Sequence, residues 1–341
     1  MNKKQRYYLF SVILLIVTIY TILPKMEKVK LNHFTGQTMG TIQYNVKVVG
    51  TESFSYQRSI DSLLLSFNAA LSTYIPTSEI SQFNKTSLAS PSELMIEVFQ
   101  TSHRIHKETK GAFDPTVGPL INRWGFGPDK KINTPDSVTI DSLLALIGLE
   151  KVKFENGLLT KENGVYLDFS AIAKGQAVDE IGKWLESRGQ LNYMVEIGGE
   201  VRCRGNNERG ESWSIGIEDP TVETLEQKLF AIAKMQNRSL ATSGNYRNYY
   251  HEDGKTYAHI IDPRTGFTAK HTLLSASVFA DDCMTADAYA TAFMVMGLEE
   301  SLALVESTDG LDAVFIFQSD EELDVYISTG MTQHIEVVQP L

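Results

Sequence analysis

Asp287 and Thr291 lie four residues apart in the stretch ADDCMTADAYATAFMVMG, Ala280 to Gly297. Its Ala, Met, Tyr and Phe content predicts a helix from about Thr285, closed by Gly297. That spacing puts both side chains on one helix face, with Cβ atoms about 5–6 Å apart, so a carboxylate and a hydroxyl oxygen can be offered to one hard cation. Magnesium takes six oxygens in near-octahedral order, so such a pair needs water, a backbone carbonyl or substrate phosphates to complete it. Taken alone, Asp287 also reads as a first-turn acid favoured by the helix dipole and Thr291 as a surface hydroxyl.

A second group of residues points to phosphate. VYLDF is predicted as a strand ending near Asp168, followed by SAIAKG and a helix from about Gln176 to Arg188 with an apolar stripe of Val178, Ile181, Trp184 and Leu185. NYMVEIGGE then reads as a buried strand. The order strand, turn, helix, strand predicts a crossover unit, with Asp168, the Ala171 backbone and the Lys174 cation around one crevice at a helix start, a usual place for a phosphate. No Gly-rich nucleotide fingerprint is present, which excludes a dinucleotide Rossmann turn and a P-loop.

These groups need elements to hold them. Ile42, Tyr44, Val46 and Val48 alternate as one face of a strand. Gln57 to Ser72 has the pattern of an amphipathic helix, and Pro76 stops regular structure beyond it, leaving Tyr74 at a helix-to-loop junction. Helices are also predicted at about 92–110 and 140–147. Between these two, AFDPTVGPLINRWGFGPD, Ala112 to Asp129, is dense in Gly, Pro and aromatics. It reads either as a shaped functional loop or as a tight connection with aromatics folded over the core. LATSGNYRNYYHEDGKTYAHIIDPRTG predicts a long hairpin turning at Glu252-Asp253-Gly254. Its return strand carries His259, and Asp262-Pro263 with Gly266 forms a turn bearing Arg264. WSIGIEDP, LLSASVFA, DAVFIFQ and LDVYIST supply further strands. Many strands mixed with helices, without strict βαβ repetition, predict an α+β body of two interlocked halves.

At 341 residues, 43% apolar and 21% charged, the chain has the composition of a globular protein with a large core. The net charge of −11, with no basic stripe, argues against a nucleic-acid partner. It also means that a phosphate-bearing ligand meets a repulsive field unless its site concentrates positive charge, which a bound divalent cation would do. Cys203 and Cys283 are too few for a disulfide framework; they could pair outside the cytoplasm, but two free thiols are expected. Lys3, Lys4 and Arg6 precede an uncharged run from Tyr7 to Leu23, at the short edge of a bilayer-spanning length. With no small-x-small cleavage pattern after it, residues 1–30 are expected to be an uncleaved transmembrane anchor and residues 31–341 the working domain on the extracytoplasmic side of the membrane.

GQTMGT, STYIPTSEISQFN, FDPTVGPLINRWGFG, DFSAIAKG, VEIGGE, ATSGNY, HIIDPRTG and DAYATAFMVMG occur in that order. Together they resemble the ApbE family of periplasmic flavin transferases, over essentially everything from Phe34 onward. The resemblance implies an ApbE-like mixed α/β fold and magnesium-dependent cleavage of FAD, with FMN moved onto a Ser or Thr of an acceptor protein and AMP released. It also implies that Met39, Tyr74, Ala112, Phe113, Asp114, Asp168, Lys174 and Ile261 contact FAD, and that Ala171, through its carbonyl, joins Asp287 and Thr291 on the metal. Implied acceptors are flavin-carrying subunits of NADH:quinone reductase or Rnf-type complexes. Two departures stand out. Ala290 occupies a position where some relatives have a second carboxylate, and the lipid-bearing cysteine of many relatives is absent, so anchoring is expected through the helix. For the catalytic step Lys174 is expected to add fixed positive charge, and His259, largely neutral at pH 7, to act as general base, or else to hold the pyrophosphate or the turn, with Asp262 able to share that work. A magnesium-dependent FAD pyrophosphatase with water as nucleophile uses the same site, and a non-catalytic flavin-binding protein would need no metal pair.

Overall fold

Alternating apolar residues build one large eight-stranded sheet. The computed structural model describes residues 3–22, 29–125, 135–221, 228–244, 249–252, 255–258, 260–269, 271–319 and 322–338. Its principal strands are β1 (Lys30–Thr38), β2 (Ile42–Gly50), β3 (Tyr193–Ile197), β4 (Glu200–Arg204), β5 (Arg238–Gly244), β6 (Leu273–Ala280), β7 (Asp312–Ser319) and β8 (Glu322–Ile327). They lie side by side in chain order, and each pairs antiparallel with its neighbours.

Helices α2 (Gln57–Leu71), α3 (Glu79–Thr86), α4 (Glu93–Glu108), α5 (Gly118–Arg123), α6 (Ser137–Leu144) and α7 (Ala173–Glu186) are inserted between β2 and β3, and α8 (Cys283–Met296) and α9 (Leu298–Ser307) between β6 and β7. The larger core joins one face of the sheet to the helices, through residues such as Tyr44, Val46, Phe67, Val98, Ile181 and Phe293. On the opposite face Met194, Leu240, Phe279 and Ile316 pack against Trp213, Ile217 and Phe230. These last three belong to a separate three-stranded sheet of Trp213–Glu218, Leu229–Met235 and Ile335–Val337.

Two expected pieces of secondary structure take another form. Residues 165–169 lie in no strand, because their backbone is already engaged: Asn84 brackets Leu167 through its carbonyl and amide at 2.8 Å each, and the Asp168 amide donates to the Pro115 carbonyl at 2.8 Å. The crossover unit is therefore absent, and α7 enters an antiparallel sheet. The long hairpin is also divided. β5 pairs with β4 and β6, while Tyr249–Glu252 and Lys255–Ala258 pair, among the described residues, only with each other; the expected turn residues Asp253 and Gly254 lie outside the described residues.

A helix α1 (Lys3–Ile22) precedes the body, with Tyr7, Tyr8, Phe10 and Ile13 exposed on it. Among the described residues no helix is long and apolar enough to cross a membrane. Cys203 and Cys283 are free and buried, and burial pushes both thiols up, so neither is a thiolate at neutral pH.

Candidate active site

The helix carrying Asp287 and Thr291 is held firmly at its start. Asp282 caps α8 by accepting the Thr285 amide at 2.7 Å, and Asp179 of α7 accepts the Cys283 and Met284 amides at 3.0 and 2.8 Å. These partners satisfy donors a helix leaves open and start α8 two residues before the expected Thr285. Gly175 allows α7 to touch α8 backbone to backbone, since a Cβ there would collide with the Cys283 carbonyl. The Gly175 amide donates to Asp287 Oδ2 at 2.9 Å, fixing one carboxylate oxygen inward.

Beside this contact lies a cavity of about 380 Å³. Ala112, Phe113, Asp114, Asp168, Ala171, Lys174, Ile261, Asp287 and Thr291 all line it, so the structure gathers nine of the residues singled out in the sequence. A second cavity of about 860 Å³ is lined by Met39, Tyr74 and neighbouring residues of the loop after β1 and the end of α2. Ser170 and Lys174 line both, which makes the pair one two-lobed cleft with Lys174 at the junction. The loop from Ala112 forms a wall: Trp124 Nε1 donates to the Gly266 carbonyl at 2.9 Å, tying it to the turn after Ile261, and Asp114 accepts the Thr116 amide and hydroxyl at 2.8 and 2.6 Å. It is thus a shaped loop that both covers the core and lines the cleft.

The cleft is acidic. Asp114, Asp168, Glu200 and Asp287 line the smaller cavity, and Lys174 is the only basic side chain among the described residues lining either lobe. Lys174 Nζ lies 2.5 Å from Glu200 Oε1 and 3.8 Å from Asp287 Oδ1. Burial alone would lower the Lys174 pKa, but Asp287 and Glu200 outweigh it and raise it, so the ammonium stays charged. Burial pushes the Asp287 carboxyl up against Lys174 and the Gly175 amide, and the Asp114 carboxyl up against its Thr116 hydrogen bonds. Thr291 Oγ1 stands 3.5 Å from Ser243 Oγ on β5.

Two expected catalytic groups are not placed in this cavity. His259 lies outside the described residues. Asp262 is not among the lining residues; its carboxylate is engaged by Arg264, whose Nε and Nη2 approach Oδ1 and Oδ2 at 3.0 Å. Conversely, sequence reasoning missed Glu200 and Ser243. Both lay in segments already noted, VEIGGE and ATSGNY, yet a glutamate after two glycines carries no sign of burial until its strand is placed.

The residues gathered here suit magnesium: Asp287, Thr291 and Ala171 line one cavity, and a carboxylate, a hydroxyl and a backbone carbonyl are all hard oxygen donors of the kind it takes. No group of three or more His, Cys, Asp or Glu able to hold a metal occurs among the described residues; a set of one carboxylate, one hydroxyl and one carbonyl is not such a group.

The model of the ApbE family matches residues 39–315. A Vibrio cholerae protein named FAD:protein FMN transferase is 40% identical over 310 residues, covering 87% of this chain and 91% of the relative. One of the same name from Haemophilus influenzae is 39% identical, covering 86% and 88%. Among solved structures, the flavin transferase ApbE of Vibrio cholerae superposes with a TM-score of 0.80 at 37% identity, over 90% of this chain and 99% of that one. The apo flavinyl transferase ApbE of Pseudomonas stutzeri gives 0.81 at 32% identity, over 91% and 98%.

Proposed function

The chain belongs to the ApbE family, and from that premise we propose that it is an FAD:protein FMN transferase working at the two-lobed cleft. The observation that carries this reading is the junction: Asp287, Thr291, Ala171 and Lys174 line the lobe that also holds Asp168, and Lys174 opens onto the lobe of Met39 and Tyr74 as well. A dinucleotide laid across both lobes has its diphosphate beside Lys174.

The acceptor Ser or Thr oxygen attacks the phosphorus of the FMN half; a new P–O bond forms, the bond to the bridging oxygen breaks, and AMP leaves with that oxygen. Proteins contribute to such a transfer mainly by positioning and charge neutralisation. Lys174 supplies a fixed positive charge in an acidic cleft. Asp287, Thr291 and the Ala171 carbonyl are the residues that would hold magnesium, which when bound neutralises diphosphate oxygens and the departing AMP. The attacking hydroxyl gives its proton to a base, for which His259 is the candidate, since it directly precedes in sequence Ile260 and Ile261, which line the cavity.

Acceptors of the NADH:quinone reductase or Rnf type, an extracytoplasmic working domain and membrane attachment through the N-terminal helix belong to the same proposal. Supporting attachment are the uncharged run Tyr7–Leu23 behind three basic residues and the exposed apolar side chains of α1. The test is incubation with FAD, magnesium and a candidate acceptor. An acceptor mass raised by one FMN, with AMP released, supports transfer; free FMN and AMP with an unchanged acceptor would make the protein a pyrophosphatase.

A further inference from the structure

Glu200 opens β4 directly after the Gly198-Gly199 turn, and its side chain is only 2% exposed. A buried carboxylate is tolerated where both oxygens find partners. Oε1 has one in Lys174 Nζ at 2.5 Å, but Oε2 is buried with no hydrogen-bond partner among the described residues. Among the described residues, the other buried side-chain atoms without a partner are on Ser102, Gln176, Arg238, Ser239 and His271, none of which lines either lobe of the cleft. The remaining carboxylates of the cleft do have donors: Thr116 for Asp114, Ser170 for Asp168 and Gly175 for Asp287. An ion pair that merely stabilised the fold would require Oε1 alone and would leave the cost of the second oxygen uncompensated.

Resting on the transferase reading, we infer that Glu200 is a positioning residue of the reaction: Oε1 sets the Lys174 ammonium at the junction of the two lobes, and Oε2 accepts a hydrogen bond from a hydroxyl group of the bound flavin nucleotide. Burial raises the Glu200 carboxyl to about 7, while the Lys174 ammonium at Oε1 favours the carboxylate, which only accepts, so its missing partner is a donor. The diphosphate that passes Lys174 has none, and the donors flanking it in a dinucleotide are sugar and ribityl hydroxyls. The same arrangement explains how an acidic cleft receives an anionic substrate, because the carboxylate nearest the lysine faces a hydroxyl instead of a phosphate oxygen.

The test is Glu200→Gln, which keeps the shape, removes the charge and presents an amide in place of one oxygen. FAD affinity is read from flavin fluorescence with magnesium chelated, so the measurement is independent of turnover. The expected result is a dissociation constant raised roughly tenfold, an unchanged melting temperature, and little further loss when Lys174→Gln is added, because the two residues act as one unit. Glu200→Asp keeps the charge but draws it back by one methylene; it shows the same weakening and serves if the amide variant folds poorly. Wild-type FAD affinity in both variants, or losses from Glu200→Gln and Lys174→Gln that simply multiply, overturns the assignment while the wild-type enzyme still releases AMP. A wild-type protein that neither binds nor cleaves FAD overturns the transferase reading and this assignment with it.

Discussion

One helix and one strand, α7 and β4, carry two charge clusters that differ in polarity and in whether every carboxylate oxygen is occupied. At the far end Arg202 of β4 meets Asp179 at 2.6 Å and Glu186 at 3.2 Å on α7, Arg204 meets Glu186 at 2.5 Å, and the Tyr193 hydroxyl donates to Glu186 at 2.6 Å. Asp179 also holds the first two amides of α8. Every carboxylate oxygen there is occupied. At the near end the polarity is reversed, with the acid Glu200 on the strand and the base Lys174 on the helix, and one buried oxygen is left without a partner among the described residues. A closed network fixes two elements against each other, whereas an open one leaves a bond for a ligand. Stability and chemistry are therefore separable along a few turns of one helix.

Breaking the near end should remove chemistry without unfolding the protein. Asp287→Asn keeps the size of the side chain but not its charge, and magnesium-dependent AMP release should fall by roughly 10²-fold or more with the melting temperature preserved; undiminished release would refute the metal assignment. The far end should respond in the opposite sense. Arg202→Met leaves Asp179 and Glu186 without their shared cation, and denaturant unfolding should show a loss of about 3 kcal/mol, while kcat of the folded protein stays near wild type. A large loss of kcat there would dissolve the distinction between the two ends.

Gly175 lies where the two behaviours meet, at the α7–α8 contact. Gly175→Ala forces a methyl into the Cys283 carbonyl and should cost about 1–3 kcal/mol of stability while also displacing Asp287, so both melting temperature and AMP release should drop together. The smallest effect concerns pH. Burial would raise the Glu186 carboxyl, but the Tyr193 hydroxyl, Arg204 and Arg202 outweigh it and hold it below its ordinary 4.5. A depressed carboxyl contributes stability fully above its unfolded pKa and loses it as pH falls through the folded value. The melting-temperature gap between wild type and Glu186→Gln should accordingly shrink from about pH 6 to about pH 3; a gap that widened on acidification would contradict the sign.

By itself the sequence determined what is local. Helical spacing put Asp287 and Thr291 on one face of α8, alternation marked Tyr44, Val46 and Val48 as inward, and eight ordered motifs carried the resemblance to the family. The tertiary structure alone decided that the segment ending at Asp168 joins no sheet, that the strands run antiparallel in chain order, and that Glu200 is buried with an oxygen to spare. The reason is the range of the interactions. A helix face follows from residues four apart, but the Gly175 amide finds Asp287 across 112 positions, and whether a glutamate is solvated or sealed beside a lysine depends on partners that no local pattern specifies.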